Sequence, residues 1–473
     1  MTGPVPALAD RAEACADRLL EADRVLVAAH IDADGLTSAA VAARALARAG
    51  VSFSVTFERQ LDPEAIEGIA AAPHETVLFT DFGSGQLETI SEYGEAFTPV
   101  IADHHQPADV ETEYHCNPLL EGINGASELS GAGAAYVLAR ALEGDGEDNR
   151  DLAPLAVVGA VGDMQLTDGE LVGANAAIVE EGVAAGVLEA GTDLAIYGRQ
   201  TRPLPKLLEY ATDVYIPGIS NDRGGALRFL EGLDLELRAD GEWRRWSDLE
   251  SEEKQVLASA LVRKAMAAGV RPAAIDDLVG TSYVLTAEPV GSVVRDASEF
   301  STLLNATARY DRADVGLAVC LGDRSDALER AETLLADHRR NLSSGIELVA
   351  ERGTTSEEHC QWFHAGDEIR ETIVGIVAGM ALGTDGIDRG RPIVAFAEKA
   401  DEPDAVKVSA RGTGRLVGRG LDLADAIGTA ARAVGGDGGG HDIAAGATVP
   451  SGSETAFLER LDTHIGEQLE ESG

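Results

Sequence analysis

The stretch Ile101-Ala102-Asp103-His104-His105 ends the apolar run Thr98-Pro99-Val100 with a carboxylate and two imidazoles. Two similar clusters lie upstream: His30-Ile31-Asp32-Ala33-Asp34-Gly35 follows the apolar run 25–29, and Asp81 follows the apolar run 76–80. Open α/β sheets form their active sites at the carboxyl ends of parallel strands, which lie at one edge of the sheet. The three clusters therefore predict a parallel sheet that carries an active site at its carboxyl edge.

The order of elements around these clusters favours an α/β fold. Strands are predicted at 24–29, 52–57, 76–80 and 98–102, and helices at 5–22, at 36–49, near 86–93, from 131 to about 142 and over 155–161. Such alternation of strand and helix is typical of a doubly wound parallel sheet.

The length of 473 residues corresponds to roughly three domain-sized units. We assign the doubly wound domain to 1–195. The segment 196–280 is predicted to be a connector or insertion, irregular at first and then mostly helical over 221–275. A smaller mixed α/β domain is predicted at 281–473, with strands at 394–397, 406–409 and 444–449 and a helix at about 323–350.

The charge of the chain is strongly negative. Asp and Glu number 81 against 38 Lys and Arg, which gives a formal net charge of -43 and a pI near 4.4, and only five of the cations are lysines. A hydrophobic content of 45% still indicates a globular chain. We interpret the charge as adaptation to molar salt, where screening suppresses self-repulsion. An acidic protein of an ordinary cytoplasm is the alternative. Under the halophilic interpretation, the acidity does not exclude a nucleic-acid partner.

The cysteines and the N-terminal sequence indicate where in the cell the protein is located. Cys15, Cys116, Cys320 and Cys360 lie far apart without a C-x-x-C pair, so neither a disulfide framework nor a zinc site is expected. Charged residues interrupt the first apolar stretch, so neither a signal peptide nor a spanning segment is predicted. The expectation is a soluble cytoplasmic protein without a membrane partner.

The clusters have the composition of a divalent-metal site. Carboxylates mixed with imidazoles suit Mn²⁺ or Mg²⁺ better than a metal that prefers thiolates. If the segment 30–34 continues the strand, its period of two directs Asp32 and Asp34 to one side. Asp81 on the neighbouring strand is the natural bridge between two ions ~3.5–4 Å apart. His104, and Asp163 at the end of a helix, complete this predicted two-metal site, although a single Asp at a strand end is more often a cap or turn residue.

The same motifs, taken in order, resemble those of a known superfamily. HIDADG at 30–35, TDFGSG at 80–85, IADHHQP at 101–107 and GAVGD at 159–163 resemble the motifs of the DHH phosphoesterases. Gly438-Gly439-Gly440-His441, followed by Ala444-Ala445-Gly446, resembles the C-terminal signature of that superfamily. Over nearly its whole length the chain is similar to RecJ-type nucleases, and specifically to their archaeal branch, the GINS-associated nucleases.

The resemblance implies roles for individual residues. The implied metal ligands are Asp32, Asp34, Asp81, His104 and Asp163, with His30 as a further ligand or a donor to one. Catalytic roles are implied for Asp81, Asp103 and His105, of which the last two orient His104 and contact the substrate phosphate. Arg309 is implied to bind substrate, although Ala308 stands where the superfamily usually has glycine before the arginine.

A second group of residues predicts a substrate-binding surface in the C-terminal part. The segment 435–441 contains too many glycines for a core element. Glycine-rich backbone near a helix end lets amide groups approach phosphate, with a flexible linker as the alternative. Arg411 offers bidentate donors to a phosphate. With Arg309, the predicted substrate-binding residues are Ser409, Arg411, Gly439, Gly440 and His441, and helix capping is the alternative for His441.

The segment Trp243-Arg244-Arg245-Trp246 offers two rings on which bases could stack. The apolar spacing that follows, from Leu249 to Leu261, favours instead the core of a small domain or a partner surface. In the archaeal relatives that the chain resembles, this region is an insertion associated with replisome binding. The segment 196–280 is therefore the candidate docking region for a GINS-type partner.

Three functions remain open on the sequence. The resemblance favours an exonuclease that hydrolyses single-stranded DNA or RNA with two divalent ions, Mn²⁺ ahead of Mg²⁺, and it alone implies 5′→3′ polarity. A phosphodiesterase for oligoribonucleotides or cyclic dinucleotides uses the same ligands, but such members are generally shorter and lack the insertion. A non-enzymatic replicative-helicase scaffold, like the eukaryotic relative that lost its ligands, is disfavoured because every ligand position here holds a competent residue.

Overall fold

The structure is a computed structural model, and it describes residues 3–144, 148–211, 214–384, 386–400 and 402–471. Contacts within the chain divide it into two compact units, Met1–Glu332 and Thr333–Gly473. The finer division at residues 195 and 280 stays a prediction.

Five parallel strands form the central sheet of the first unit. They are β1 (Arg24–His30), β2 (Ser52–Glu58), β3 (Thr76–Thr80), β4 (Thr98–Ala102) and β5 (His115–Cys116), in the order β2-β1-β3-β4-β5. Ala29 lies opposite Thr80, and Thr80 lies opposite Ala102. β1, β3 and β4 therefore end level with one another, and the residues that follow them meet at one edge. This confirms the predicted parallel sheet.

Helices cover both faces of this sheet, because its central strands are apolar on both sides. Leu26 and Phe79 belong to the core on one face, and Val27 and Leu78 are buried on the other. The helices up to residue 184 are α1 (Ala9–Leu20), α2 (Ala33–Arg48), α3 (Pro63–Ala70), α4 (Leu87–Ser91), α5 (Gly131–Ala141), α6 (Ala153–Gly162) and α7 (Gly173–Ala184). A hairpin of β6 (Leu166–Thr167) and β7 (Glu170–Leu171) separates α6 from α7.

One antiparallel ribbon carries the chain into and out of the segment 195–278. β8 (Leu188–Leu194) pairs with β11 (Val279–Leu285), and Leu194 lies opposite Val279. The intervening elements are α8 (Leu204–Glu209), α9 (Arg223–Glu231), β9 (Arg238–Ala239), β10 (Glu242–Trp243), α10 (Ser251–Ala267) and α11 (Pro272–Asp276). Trp246 lies in the apolar core of this segment, and Trp243 packs against that core, which confirms the core interpretation of this pair.

Three helices follow the ribbon: α12 (Ala297–Arg309), α13 (Ala313–Cys320) and α14 (Asp326–Arg352). Asp296 is the N-cap residue of α12, and its carboxylate accepts hydrogen bonds from the Ser298 and Glu299 N–H groups at 3.0 and 3.3 Å. α12 packs against α6 and α2, whose ends lie at the carboxyl edge of the parallel sheet. It therefore brings its own side chains to that edge.

The second unit is built on a six-stranded mixed sheet. Its strands are β12 (Thr355–Ser356), β13 (Gln361–His364), β14 (Ile393–Glu398), β15 (Ala405–Arg411), β16 (Asp437–Gly440) and β17 (Ala444–Pro450), in the order β12-β13-β14-β15-β17-β16. Its helices are α15 (Glu371–Ala381), α16 (Gly414–Val417), α17 (Leu423–Ala433) and α18 (Glu454–Glu471). The predicted mixed α/β C-terminal fold is confirmed.

The glycine-rich segment is a strand rather than the flexible linker that was the alternative on the sequence. Residues 437–440 form β16, the edge strand of the sheet, and Gly439 lies opposite Gly446. The backbone supplies the hydrogen bonds of this strand, so it needs no side chains, and a Cβ at Gly438 would lie 2.6 Å from the Ala447 Cβ. Among the residues that the structure describes, no helix combines the length and apolar character that a membrane crossing requires.

Candidate metal centre

The HIDADG segment changes from strand to helix within two residues. β1 ends at His30, and Asp32 caps α2 by accepting a hydrogen bond from the Gly35 N–H at 3.0 Å. Asp34 is already helical, so the predicted extended geometry is wrong beyond His30, because the Asp32 cap starts the helix. Only glycine fits at position 35, since a Cβ there would lie 2.0 Å from the His30 carbonyl oxygen.

Asp81 follows β3 in the left-handed backbone region, with a φ of 61°. Aspartate enters this region more readily than most residues, and such conformations concentrate at functional sites. Its N–H donates to the Ala102 carbonyl oxygen at 3.1 Å, and its side chain is 2% exposed. Gly131 closes over it, because a Cβ there would lie 2.6 Å from Asp81 Oδ1. The carboxylate is therefore held in one position.

Asp34 lies against the N-terminus of α5. The N–H groups of Gly131 and Ala132 donate to its two carboxylate oxygens at 2.7 and 3.0 Å. The positive end of a helix favours a negative charge in this position. Gly159 on α6 makes the room, since a Cβ there would lie 2.4 Å from Asp34 Oδ1. Asp34 is thus positioned by two helices other than its own.

His104 is buried in a defined orientation. Its Nδ1 lies 2.6 Å from the Gly125 carbonyl oxygen and therefore donates its hydrogen there. Its Nε2 faces three carboxylate oxygens, at 3.2 Å from Asp81 Oδ1, 3.7 Å from Asp163 Oδ2 and 3.9 Å from Asp34 Oδ2. This orientation directs the Nε2 lone pair of the neutral ring at the space that a metal would occupy.

Three overlapping groups of ligand atoms make up what we call the metal centre. The groups are His30, Asp32 and Asp81; Asp34, His104 and Asp163; and Asp81, Asp103, His104 and His105, and within each group the atoms lie within 4.8 Å of one another. Asp81 and His104 each belong to two groups, which joins all three. All six residues predicted as ligands are brought together here, and their ligand roles stay a prediction.

Asp103 organises the two histidines that follow it. Its Oδ1 accepts hydrogen bonds from the His104 N–H at 2.7 Å and from His105 Nδ1 at 2.8 Å. Its Oδ2 accepts one from the Ser84 N–H at 2.9 Å. The His105 side chain is 55% exposed, so its Nε2 is open to solvent beside the metal centre. Asp103 therefore holds the His104 backbone and the His105 ring in place, and the roles of Asp103 and His105 toward substrate stay a prediction.

Burial and crowded charges set the protonation of the metal centre. Burial, with repulsion from Asp81 and Asp163, raises the pKa of Asp34 well above its usual value. Burial alone would lower the pKa of His104, but its hydrogen bond and attraction to Asp81 outweigh this and raise that pKa to about 11. Burial is likewise outweighed at His30, where Asp32 and Asp81 raise the pKa to about 11. The carboxylates thus hold both imidazoles protonated, and a metal must compete with those protons.

The donor set fits divalent cations. The six predicted ligands within it, four carboxylates and two imidazoles, form the mixed oxygen and nitrogen set that suits Mn²⁺ or Mg²⁺. Repulsion among these buried carboxylates is one cause of the raised pKa values of Asp34 and Asp163, after burial itself. Bound cations would remove that repulsion.

α12 adds two polar residues at the same edge. Asn305 Oδ1 accepts a hydrogen bond from the Ala33 N–H at 3.1 Å, which braces the first turn of α2. Arg309 ends the same helix, where burial lowers its pKa against the attraction of the Asp32 carboxylate. Arg309 therefore lies within electrostatic reach of a predicted ligand, and its role in substrate binding stays a prediction.

The other predicted substrate-binding residues lie at one end of the sheet in the second unit. Ser409 is buried on β15, and the guanidinium of Arg411 packs over Gly375 of α15, where a Cβ would lie 2.5 Å from Arg411 Nη2. Arg411 lies opposite Ala444, and Gly440 lies opposite Ala445. Gly439, Gly440 and His441 are exposed. We call the exposed residues Gly439, Gly440 and His441, with Arg411 at the same end of the sheet, the open glycine surface. Ser409 is buried against Gly375, and the binding role of all five residues stays a prediction.

Sequence reasoning missed the polar residues that support the ligands. Ser84 Oγ accepts a hydrogen bond from Asn117 Nδ2 at 2.9 Å and lies 2.9 Å from His115 Nε2. Gln165 and Asn175 connect Asp163 to the start of α5. These residues follow no period, and the one local signal was the position of Gln165 two residues after a predicted ligand.

Models of three protein families match separate parts of the chain. The DHH family N-terminal domain matches residues 24–160, the DHH-CID domain residues 196–279 and the DHHA1 domain residues 360–467. An uncharacterized protein of Methanocaldococcus jannaschii is 30% identical over 453 residues, which cover 94% of each chain.

Solved structures share the fold. RecJ of Thermus thermophilus, solved in complex with Mn²⁺ and also with Mg²⁺, is 19% identical with a TM-score of 0.60 in the Mn²⁺ form. That match covers 99% of this chain and 56% of the RecJ chain. CDC45 from Entamoeba histolytica is 11% identical with a TM-score of 0.65, and the match covers 97% of each chain. At these identities the similarity establishes the fold alone.

Proposed function

The chain belongs to the DHH superfamily as a RecJ-like protein, and from that premise we propose that it is a metal-dependent exonuclease that hydrolyses single-stranded DNA or RNA. The observation that carries the proposal is the metal centre, in which Asp81 and His104 each connect two groups of ligand atoms. A shared carboxylate between two groups is the arrangement that a pair of ions requires.

The proposed chemistry is in-line hydrolysis of a phosphodiester. When bound, two divalent cations would supply Lewis acidity, which would ease deprotonation of the attacking water and neutralise charge at phosphorus. His30, Asp32 and Asp81 would hold one cation, and Asp34, His104 and Asp163 the other. Asp81, whose Oδ1 lies 3.2 Å from His104 Nε2, would contribute to both. Mn²⁺ is the preferred ion in this proposal, since imidazole nitrogens accompany the carboxylates.

His105 is the residue that would contact the scissile phosphate. Its Nδ1 bonds Asp103 at 2.8 Å, and this hydrogen bond is the main cause that raises the pKa of His105. A raised pKa favours the imidazolium form, whose Nε2–H would donate to a non-bridging phosphate oxygen. Arg309, which attracts the Asp32 carboxylate, would neutralise a neighbouring phosphate.

The remaining parts of the proposal concern binding. The open glycine surface, together with Ser409, would hold the strand through Arg411 and the amides near Gly439, Gly440 and His441. The 5′→3′ polarity follows the family resemblance. The segment 196–280, which has its own core, would dock a GINS-type replisome partner. The shared fold with CDC45 supports this, since that protein covers 97% of the present chain.

One cleavage assay distinguishes the proposed exonuclease from the two other candidate functions. End-labelled oligonucleotides of DNA and RNA would be incubated at molar KCl with Mn²⁺ or Mg²⁺, beside dinucleotides and cyclic dinucleotides. The proposal expects stepwise products from single strands, fastest with Mn²⁺. A preference for dinucleotides would favour the small-substrate phosphodiesterase. No cleavage of any substrate by a folded, Mn²⁺-binding chain would favour the helicase scaffold.

A further inference from the structure

A chain of hydrogen bonds connects the first turn of α5 to Asp163. The Ser130 N–H donates to Asn175 Oδ1 at 3.4 Å, and Asn175 Nδ2 donates to Gln165 Oε1 at 2.7 Å. Gln165 Nε2 then donates to Asp163 Oδ2 and to the Gly125 carbonyl oxygen, both at 2.8 Å. Gln165 and Asn175 are 1% and 2% exposed. We call Asn175 and Gln165 the amide relay.

Backbone groups at both ends determine the orientation of the amide relay. A backbone N–H can only donate, so Ser130 requires oxygen at its end of the Asn175 amide. The Asn175 nitrogen must then face Gln165 Oε1, which leaves the Gln165 nitrogen facing Asp163 and the Gly125 carbonyl oxygen. A carbonyl oxygen can only accept, and Gly125 is bonded at that end, so both ends specify the same orientation.

The amide relay supports two of the three ligands of one predicted ion. Gln165 Nε2 holds Asp163, and the Gly125 oxygen that it bonds also accepts from His104 Nδ1 at 2.6 Å. That carbonyl oxygen therefore keeps hydrogen on Nδ1 and leaves Nε2 for the metal. The Gly131 N–H, one residue after Ser130, donates to Asp34, the third ligand of the same group.

Asp163 needs such a restraint more than Asp34 and His104, the other two ligands of its group, whose side chains are buried. It is the C-cap residue of α6, its side chain is 30% exposed, and Met164 follows it in the left-handed region with a φ of 59°. The Gln165 N–H bonds the Ala160 carbonyl oxygen at 3.0 Å, which reverses the backbone and brings the Gln165 side chain back beside Asp163. The helix end thus supplies both the ligand and its support.

We infer that Gln165, oriented by Asn175, is a positioning residue that fixes Asp163 and His104 for the ion they share with Asp34. The inference rests on the proposed metal centre. Hydrogen-bond partners of metal ligands typically contribute about 10- to 100-fold in metal affinity. Loss of the amide relay should therefore lower the affinity for this ion. The affinity for the ion held by His30, Asp32 and Asp81 should stay nearly unchanged.

The test measures Mn²⁺ binding to the full chain by the EPR signal of the free ion. Gln165→Met keeps the volume and removes all the hydrogen bonds, and it should weaken one of two Mn²⁺ sites by about 10- to 100-fold. Gln361→Leu is the matched control, because Gln361 is a 1% exposed glutamine of the second unit that bonds the Asp388 carbonyl oxygen at 2.6 Å. The Gln361→Leu variant should have a lower melting temperature and the parental affinity at both Mn²⁺ sites.

Asn175→Asp serves where Gln165→Met fails to fold. The new carboxylate still accepts from Ser130 but has no hydrogen for Gln165 Oε1, so the Gln165 amide must turn its oxygen toward Gly125 and Asp163. The same Mn²⁺ site should weaken, and saturating Mn²⁺ should restore most of kcat.

Both Mn²⁺ affinities within twofold of the parent in either variant would overturn the inference. A parent that binds Mn²⁺ but cleaves no phosphodiester would contradict the proposed function alone, because the EPR comparison does not depend on cleavage.

Discussion

The metal centre and the open glycine surface, the two sites that we propose bind the substrate phosphates, are built in opposite ways. In the metal centre, Asp34 and Asp81 are buried, and glycines press on both carboxylates. On the open glycine surface, Gly439 and His441 are exposed, on an edge strand and the turn beyond it. The ligand atoms of the first site are buried, whereas the backbone of the second is exposed at the edge of a sheet.

This difference assigns different tasks to the two sites. A buried cluster of carboxylates tolerates little displacement, because each ligand is fixed by bonds from several elements. An exposed strand with glycines offers amide groups without side-chain obstruction. We therefore expect changes in the metal centre to affect chemistry and metal affinity, and changes on the open glycine surface to affect substrate affinity.

Replacing Asp81 should have the largest effect. Asp81→Ala removes a carboxylate that belongs to two ligand groups, so both ions should be lost and cleavage should fall by at least about 10³-fold. Single-turnover cleavage measures the rate, and circular dichroism checks the fold. Asp62→Ala is the control, because Asp62 is an exposed N-cap residue of α3 outside the metal centre. Rates within tenfold of the parent would contradict the two-metal assignment.

Adding one methyl group beside Asp34 should have the second-largest effect on cleavage. Gly159→Ala would place its Cβ 2.4 Å from Asp34 Oδ1 and 2.5 Å from Thr37 Oγ1, so the carboxylate must move. We expect about a 100-fold loss of cleavage with weakened Mn²⁺ binding, since misplaced ligands cost about that much.

The matched control is Gly68→Ala on α3, where a Cβ would have no neighbour within 4 Å. That change should stabilise the chain by ~0.4–1 kcal/mol, as it restricts the unfolded backbone. Parental Mn²⁺ affinity in Gly159→Ala would show that the metal centre is less rigid than its packing indicates.

On the open glycine surface, Arg411→Ala should weaken oligonucleotide binding by about tenfold, because it removes charge-assisted bonds to phosphate. Mn²⁺ affinity and the rate at saturating substrate should stay within twofold of the parent. Fluorescence anisotropy at matched salt measures the affinity, and Arg460→Ala, an exposed arginine of α18, controls for the loss of one charge. Unchanged affinity would remove this surface from the substrate path.

Raising the salt concentration should have the smallest effect, a several-fold change in the cleavage rate. The net charge of -43 repels both the chain itself and a polyanionic substrate, and molar KCl screens that repulsion. We expect stability and cleavage to rise together toward molar KCl, against the usual weakening of nucleic-acid binding by salt. Circular dichroism and single-turnover cleavage over one salt series measure both. Full folding with maximal activity near 0.1 M salt, about a 10 Å Debye length, would contradict the halophilic interpretation.

Several features of this protein follow from local sequence alone. Apolar runs of strand length predict β1, β3 and β4, and their positions agree with the structure to within a residue. The residue types at the strand ends, Asp and His, indicate the chemistry of the metal centre. Such features are readable because side-chain alternation and ligand chemistry belong to neighbouring residues.

Other features depend on partners distant in the chain. The helical position of Asp34 makes it a recipient of the α5 amides, 97 residues away from Gly131. β16 is a strand because β17 offers it hydrogen bonds, although its glycines have low strand propensity. Gln165 is a positioning candidate because Asn175 and Gly125 surround it. The sequence by itself determined which atoms are available for metal and phosphate, and the tertiary structure decided which of them meet, because hydrogen bonding between remote segments is set by packing rather than by local propensity.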